Sequence, residues 1–164
     1  MVLDQNKVYL LLGSNMGARL QLLEEAIKNI SIQVGKVTAQ SSIYETAAWG
    51  KTDQPGFLNV AVEVTTALTP LEVLSSALAI EAQLGRVREE KWGTRLIDID
   101  IIFYNNEVLS IPNQLEIPHP EMRNRKFVLV PLVEIAPEML HPVFHTSISS
   151  LLRALKDDLP VVKI

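Results

Sequence analysis

Two aspartates, Asp98 and Asp100, alternate with isoleucines over residues 97–101. Successive side chains of a strand point to opposite faces, so both carboxylates are expected on one face while Ile97, Ile99 and Ile101 enter a core. Two ionised carboxylates side by side repel each other unless a positive group lies between them. A hard cation such as Mg²⁺ prefers oxygen ligands. The pattern therefore indicates a magnesium site, although a solvent-exposed edge strand with hydrated acids would also account for it.

A basic loop precedes this predicted strand. Residues 86–95 read RVREEKWGTR and place four cations near the aspartates, namely Arg86, Arg88, Lys91 and Arg95. Clustered arginines suit an anionic substrate because their guanidinium groups bind phosphate oxygens in pairs. Carboxylates for a metal beside arginines for phosphate are typical of phosphoryl-type transfer. The basic loop therefore favours the metal site over the hydrated edge strand.

Two further segments carry candidate binding residues. Residues 46–59 are expected to form a long loop that contains two aromatic side chains, Trp49 and Phe57. Loops that keep exposed aromatic side chains often bind a ligand, while packing of Trp49 on the core is the alternative. Farther on, His119 lies between two prolines, which restrict its position. A second basic cluster follows it and comprises Arg123, Arg125 and Lys126.

Length and composition limit the class of protein. The 164 residues, of which 48% are hydrophobic and 21% charged, predict a single soluble domain over residues 1–164. The formal net charge of −4 argues against broad nucleic-acid binding, which needs a basic face. The lack of cysteine excludes disulfides, thiolate zinc sites and a cysteine nucleophile. The apolar run at residues 8–12 is too short for a signal sequence or a membrane span, so we expect a cytoplasmic protein with no membrane partner.

The predicted elements follow the order β-α-β-β-α-β. Strands are expected over residues 8–12, 37–43, 58–65 and 97–101, and helices over residues 18–35 and 69–85. The second helix should begin with a capping box at Thr69 and Glu72 and should bury a stripe that includes Leu71, Leu74 and Leu78. A short strand at residues 108–109, an irregular proline-rich segment over residues 111–127 and helices over residues 128–135 and 147–155 should follow.

This order predicts an α+β fold of the ferredoxin-like type with extra C-terminal elements. In that arrangement an antiparallel sheet carries both helices on one face, and the fourth strand pairs with the first near the sheet centre. The two aspartates would then lie on a rigid strand. The loops before that strand and after the second strand would overhang them.

Several segments together resemble the signature of the 6-hydroxymethyl-7,8-dihydropterin pyrophosphokinases. The strongest are GRVR at residues 85–88, KWGTR at residues 91–95 and LIDIDI at residues 96–101. Three others agree with the same family: LGSN at residues 12–15, DQPGFLN at residues 53–59 and PHPEMRNRKF at residues 118–127. The resemblance covers nearly the whole chain.

The resemblance implies transfer of the terminal diphosphate of ATP to the hydroxymethyl group of the pterin, with release of AMP, in folate biosynthesis. Asp98 and Asp100 then match ligands of two Mg²⁺ ions, and with Arg86, Arg88 and Arg95 they match the catalytic set. The positions that match nucleotide and phosphate contacts are Glu81, Arg88, Lys91, Trp92, Arg95, His119 and Arg125. The positions that match the pterin site are Phe57 and Phe127 on the ring faces, Thr46 and Asn59 at the polar edge, and Ala47, Trp49, Trp92 and Asp98 around them.

The expected partners are therefore two small molecules, ATP and 6-hydroxymethyl-7,8-dihydropterin, and we expect a monomer. Two other functions remain possible from the residues alone. A ferredoxin-like regulatory module that binds an aromatic metabolite would explain Phe57 and Phe127 but not the aspartates or the basic loop. A metal-dependent glycosyltransferase or nucleotidyltransferase would use the aspartates but not the aromatic pair.

Overall fold

The computed structural model describes residues 5–15, 17–46, 56–85, 96–156 and 159–164. Its strands are β1 (Asn6–Ser14), β2 (Lys36–Gln40), β3 (Tyr44–Thr46), β4 (Phe57–Thr66), β5 (Asp98–Tyr104), β6 (Leu109–Ile111), β7 (Leu115–Ile117) and β8 (Val161–Lys163). Its α-helices are α1 (Arg19–Gln33), α2 (Pro70–Gly85), α3 (Lys126–Ile135) and α4 (Ile148–Ala154), and a short 3-10 helix covers Met122–Asn124. Within these ranges no helix is long and apolar enough to cross a membrane.

Six of the described strands form one antiparallel sheet. The order is β5-β1-β4-β3-β8, and β2 also pairs with β4. The expected α+β fold with an antiparallel sheet is confirmed, as is the pairing of the aspartate strand β5 with β1. The expected position of β5 near the sheet centre is wrong, because β5 ends the described strand order and leaves one of its edges for other elements.

Helices α1 and α2 cover one face of the sheet. They bury Leu23, Ala26 and Ile30 of α1 and Val73, Ala77 and Ile80 of α2 against the strands. The expected capping box is present, since the Thr69 N–H donates to Glu72 Oε1 (2.9 Å) and the Glu72 N–H donates to Thr69 Oγ1 (3.2 Å). The expected leucine stripe is wrong in part, because Leu71 and Leu78 are exposed. Val73, Ala77 and Ile80, which belong to the same predicted stripe as the leucines, are buried as expected.

Helices α3 and α4 cover the opposite face and correspond to the extra C-terminal elements. They pack on a second buried cluster that includes Leu11 of β1, Ala61 of β4, and Ile102 and Phe103 of β5. This cluster also buries Val128, Leu129 and Leu132 of α3 and Ile148 of α4. The sheet is therefore covered on both faces, by α1 and α2 on one and by α3 and α4 on the other.

Two segments differ from the sequence-based expectation. The strand expected over residues 37–43 divides into β2 and β3, because Ser41 Oγ accepts a hydrogen bond from the Ala61 N–H (2.9 Å) and interrupts the pairing. The segment expected to be irregular over residues 111–127 contains the β6–β7 hairpin. Its prolines do not disrupt the hairpin because Pro112 follows β6 and Pro118 follows β7.

A carboxylate on α3 ties this helix to the segment that enters β3. Glu134 accepts hydrogen bonds from the backbone N–H of Ser42 (3.0 Å), the Ser42 hydroxyl (3.0 Å) and the Tyr44 hydroxyl (2.6 Å). Burial and the adjacent carboxylate raise the pKa of Tyr44 to about 12, so this hydroxyl remains a donor. Burial alone would raise the pKa of Glu134, but the hydrogen bonds from Tyr44 and Ser42, and the charge of Lys163, lower it. We call this set of contacts the Glu134 clamp.

We expect Glu134→Gln to destabilise the fold most strongly near neutral pH. A carboxyl whose pKa is lowered on folding contributes stability above its unfolded pKa, about 4.3, and that contribution disappears as the pH falls through the folded value. The difference in free energy of unfolding between the unaltered protein and the variant should therefore shrink below about pH 4.3. Urea unfolding at several pH values measures it. Glu138→Gln removes an exposed carboxylate just beyond α3 and is the control. The expectation would be contradicted if the loss of unfolding free energy in Glu134→Gln did not vary with pH.

Candidate active site

The two aspartates lie on β5 as the alternation predicts. Asp98 pairs with Gly13 of β1 and Asp100 pairs with Leu11, so both carboxylates project from the face that α3 covers. Asp98 is half-buried and Asp100 is exposed. The intervening Ile99 is buried in the core on the other face. The sequence places the carboxylates on a rigid strand because the isoleucines anchor that strand from behind.

Glu81 of α2 supports the same strand from its free edge. One oxygen of its carboxylate, Oε2, accepts a hydrogen bond from the backbone N–H of Ile99 at 2.7 Å. Because Ile99 lies between the two aspartates, this contact restrains the backbone that carries both of them. A hydrogen bond to an ionised acceptor contributes about 1.5–3 kcal/mol. Glu81 is therefore a positioning residue for β5 in this structure, and its expected nucleotide contact stays a prediction.

A cavity of about 340 Å³ opens beside the aspartates. Its described lining combines apolar side chains, two carboxylates, one guanidinium and two small polar groups. The lining residues are Leu11, Gly13, Thr46, Phe57, Asn59, Asp98, Asp100, Arg125, Phe127 and Leu159. The structure thus brings together, on one cavity, every described residue that the sequence assigned to a pterin site. We call it the first cavity.

Two buried polar atoms in this cavity have no hydrogen-bond partner within the part of the chain that the structure describes. They are Thr46 Oγ1 and Asn59 Oδ1, on side chains only 3% and 4% exposed. The other end of the Asn59 amide is fixed, since its Nδ2 lies 3.4 Å from the Leu12 carbonyl oxygen, to which it donates. A buried polar group without a partner costs about 1–3 kcal/mol, so native proteins retain one chiefly where it has a function.

Gly13 gives the Asn59 side chain the space it occupies. The two residues are directly paired between β1 and β4, and a Cβ atom at Gly13 would lie 2.7 Å from Asn59 Nδ2. Any larger residue would therefore displace the amide. Gly13 lies within β1, which extends beyond the strand expected over residues 8–12.

A second cavity of about 370 Å³ lies on the other side of β5. Residues 110–116 of the β6–β7 hairpin form much of its wall, together with Leu74 of α2, residues 99–101 of β5, and His119. Asp100 lines both cavities. The carboxylate therefore stands at the boundary between an aromatic-lined site and a site built by the hairpin.

His119 is held beside β5 by its backbone. Its N–H donates to the Ile102 carbonyl oxygen (3.0 Å), and its Nδ1 accepts from the Glu121 N–H (3.2 Å), which leaves Nε2 as the protonated nitrogen of the neutral ring. Burial lowers the pKa of His119, and Arg125 lowers it further, although the nearby Asp100 opposes the shift. Neutral His119 can thus donate one hydrogen bond from Nε2 at the second cavity.

The first cavity has an aromatic pair and one cation at its rim. Phe57 begins β4 and is 41% exposed, while Phe127 lies in the first turn of α3 and packs partly on the second buried cluster. The Arg125 guanidinium lies 5.8 Å from the centre of the Phe127 ring. Arg125 also precedes α3, so the start of this helix brings a ring and a positive charge to the same opening.

A family model described as 7,8-dihydro-6-hydroxymethylpterin-pyrophosphokinase (HPPK) matches residues 9–137. The chain belongs to the HPPK family. It is 47% identical over 135 residues to the 2-amino-4-hydroxy-6-hydroxymethyldihydropteridine pyrophosphokinase of Methylorubrum extorquens, covering 82% of this chain and 85% of that protein. The protein of the same name from Bacillus subtilis is 45% identical over 135 residues, which is 82% of this chain and 80% of its own length.

A solved structure agrees with the fold. The HPPK-DHPS of Plasmodium falciparum superposes with a TM-score of 0.73 over 91% of this chain, at 21% sequence identity. The chain spans only 44% of that solved chain. The expectation of a pyrophosphokinase that acts in folate biosynthesis is confirmed by these HPPK relatives, as is the mixed α and β architecture.

Seven residues that the sequence assigned to an HPPK site lie outside the described residues. They are Ala47, Trp49, Arg86, Arg88, Lys91, Trp92 and Arg95. Their roles therefore stay predictions. The candidate site residues that the structure describes are Glu81, His119, Asp98, Asp100 and the candidates among the lining of the first cavity.

Sequence reasoning missed Leu159 of the first cavity and the β6–β7 hairpin of the second. The hairpin could have been found from the apolar residues at positions 109, 111, 115 and 117, which alternate on either side of a turn. Leu159 offers no such signal. Its position depends on the three-residue strand β8 that follows it, and the pairing of β8 with β3 joins distant parts of the chain.

Proposed function

We propose that the chain transfers the terminal diphosphate of ATP to the hydroxymethyl group of 6-hydroxymethyl-7,8-dihydropterin and releases AMP. The observation that carries this proposal is the first cavity, where two buried polar atoms with no partner among the described residues share one lining with two aromatic side chains and two carboxylates. A flat heteroaromatic ring with donors and acceptors on its rim fits such a lining.

In the proposed complex the pterin lies in the first cavity. Phe57 and Phe127 contact its two faces, and Thr46 Oγ1 and Asn59 Oδ1 bind polar groups on its rim. Asp98 and Asp100 lie at the end of the cavity where the hydroxymethyl group would be directed toward ATP. Ala47, Trp49 and Trp92 are proposed as further pterin contacts on the strength of the sequence resemblance.

ATP is proposed to occupy the second cavity, whose volume of about 370 Å³ suits a small ligand. His119 lines it and would donate a hydrogen bond to a phosphate oxygen. Because Asp100 belongs to both cavities, a phosphate chain that extends from this cavity would reach the pterin beside the aspartates. The remaining proposed phosphate and nucleotide contacts are Glu81, Arg86, Arg88, Lys91, Trp92, Arg95 and Arg125.

Asp98 and Asp100 fit the requirements of Mg²⁺. Within the described ranges no group of three or more histidine, cysteine, aspartate or glutamate side chains forms a metal cage. Magnesium in phosphoryl-transfer sites is usually held by one or two carboxylates together with substrate phosphates and water, so two carboxylates on one strand face suffice. Two bound Mg²⁺ ions would neutralise phosphate charge that develops during transfer.

The residues of the chain then act mainly by positioning and by electrostatics. The hydroxymethyl oxygen forms a bond to the β-phosphorus while the bond from the β-phosphorus to the oxygen of the leaving AMP breaks, and the hydroxyl proton is released. The ring contacts fix the hydroxymethyl group, and the carboxylates and guanidinium groups surround the charged phosphates. The apolar lining excludes water, which would otherwise hydrolyse ATP.

We further propose that residues 1–164 act as one pyrophosphokinase domain, as a monomer in the cytoplasm. Light scattering on the purified protein, with and without both substrates, tests the oligomeric state.

Thr46→Val is expected to weaken pterin binding about tenfold while the fold becomes no less stable. Valine keeps the shape of threonine but removes a buried hydroxyl that has no described partner, so its desolvation cost disappears. Thr66→Val is the matched control, because the Thr66 hydroxyl is equally buried but donates to the Val34 carbonyl oxygen at 2.6 Å. The control should lose stability and keep its pterin affinity. Titration calorimetry and thermal unfolding give both quantities; pterin affinity unchanged in Thr46→Val would contradict the assigned rim contact.

The decisive experiment is a product analysis. Protein, Mg²⁺, ATP and 6-hydroxymethyl-7,8-dihydropterin are combined, and the nucleotide product is separated. AMP in equal amount to a pterin diphosphate is the expected result. ADP would indicate an ordinary kinase, and a failure to turn over, with pterin still bound, would indicate a binding module.

A further inference from the structure

The C-terminal segment contributes to the first cavity although it lies beyond the region that the family model matches. The match ends at residue 137, whereas Leu159 lines the cavity with Phe57, Phe127 and Thr46. We propose that Leu159, which precedes β8, is a substrate-contacting residue that adds an apolar wall to the pterin pocket. The proposal rests on the proposed function, which assigns the pterin to this cavity.

The pairing of β8 with β3 accounts for the position of Leu159. Val161 is directly opposite Thr46, and the Ile164 N–H extends the pairing by donating to the Ile43 carbonyl oxygen at 3.0 Å. Side chains of directly paired residues project from the same face of a sheet, so Val161 lies on the side where Thr46 enters the cavity. Leu159 precedes Val161 by two residues and lines the cavity together with Thr46.

The strand that receives β8 is held to α3 by hydrogen bonds. The Glu134 clamp fixes Ser42 and Tyr44 to α3, and Tyr44 is directly opposite Lys163 of β8. The charge of Lys163 also acts on Glu134. Since α3 bears Phe127 at its first turn, one connected set of contacts sets the spacing between Phe127, Thr46 and Leu159.

Because its side chain is aliphatic, Leu159 would contact the apolar surface of the ligand. It is half-buried in the described protein and has no polar atom beyond its backbone, in contrast with the rim residues Thr46 and Asn59. Burying the rest of an aliphatic side chain against an aromatic ring removes further apolar surface from water. Truncation to alanine should therefore reduce pterin affinity by about 3- to 10-fold.

The test compares pterin and ATP affinities of Leu159→Ala with those of Val162→Ala. Val162 lies three residues later on β8, is exposed, and is not among the residues that line the first cavity. We expect Leu159→Ala to weaken binding of 6-hydroxymethyl-7,8-dihydropterin about 3- to 10-fold with ATP affinity unchanged, and Val162→Ala to change neither. Equal pterin affinity in Leu159→Ala and the unaltered protein would overturn the proposal.

A second substitution distinguishes a substrate contact from a general structural effect. Leu159→Met keeps an apolar side chain of similar volume and should retain pterin affinity within about twofold. Loss of ATP and pterin affinity together in Leu159→Ala, or failure of Leu159→Met to retain binding, would show a structural role and overturn the substrate contact. Failure of the unaltered protein to bind the pterin would instead overturn the proposed function, so the two failures are distinguishable.

Discussion

Asp100→Asn is expected to reduce the rate of diphosphate transfer by more than about 10³-fold and to leave the fold as stable as before. The side chain is exposed, so the substitution loses no packing, and it relieves repulsion from Asp98 on the same strand face. What it removes is negative charge that would hold Mg²⁺ against the phosphates. Asp98→Asn should have an effect of similar size. Steady-state rates at increasing Mg²⁺, together with urea unfolding, measure both consequences.

Glu107→Gln is the control for this pair of variants. Glu107 is an exposed carboxylate in the turn that follows β5, and it does not line either of the two cavities described above. The substitution removes one negative charge, as Asp100→Asn does, but at a residue that lines neither cavity. Turnover should therefore stay within about twofold, as for most surface substitutions. Near-normal turnover in Asp100→Asn would show that the aspartates are hydrated acids on an edge strand, which is the alternative that the sequence left open.

Phe57→Ala and Phe127→Ala should each weaken pterin binding by about 1–3 kcal/mol, taking base–aromatic stacking as the guide. The structure separates their effects on stability. Phe57 is substantially exposed at the start of β4, so its removal should hardly change the melting temperature. Phe127 packs partly on the second buried cluster, so its removal should also destabilise the fold. The loss should be smaller than the roughly 3–5 kcal/mol that results when a fully buried phenylalanine is replaced by alanine. ATP affinity should change little in either variant.

Phe144→Ala is the matched aromatic control. Phe144 is 42% exposed, close to the value for Phe57, and its ring stacks on His141 with 4.3 Å between ring centres. It lines neither of the cavities described here. Pterin affinity should therefore be unaffected. If Phe57→Ala behaved like Phe144→Ala in pterin titrations, the ring sandwich would be wrong and the pterin would need another site.

The placement of the aspartates could be predicted from the sequence because its signal is local. Alternation at residues 97–101 was enough to place the isoleucines in the core and the aspartates on the opposite face. The capping box at Thr69 and Glu72 likewise involves groups three residues apart. The roles of the basic loop stay predictions, since residues 86–95 lie outside the described part of the chain.

Features that depend on distant partners could not be predicted. The division of β2 from β3 follows from a hydrogen bond between Ser41 and Ala61, twenty residues apart. A register shift against β1 at Ile102 places Ile102 and Phe103 in the same second cluster, so the alternation that holds through Ile102 ends at Phe103. The wall at Leu159 depends on a pairing across more than one hundred residues. In each case the determining contact is set by tertiary packing and leaves no periodic pattern in the sequence.

The shared position of Asp100 has a consequence for how the two ligands influence each other. A ligand in either cavity changes the electrostatic potential at this carboxylate, and the carboxylate is part of the wall of the other cavity. Thermodynamic linkage then requires reciprocity: the factor by which one ligand alters the affinity for its neighbour equals the factor in the reverse direction. One side chain on the boundary therefore makes binding cooperative without any movement of the fold, and the sign of that cooperativity follows from the charges the two ligands bring to it.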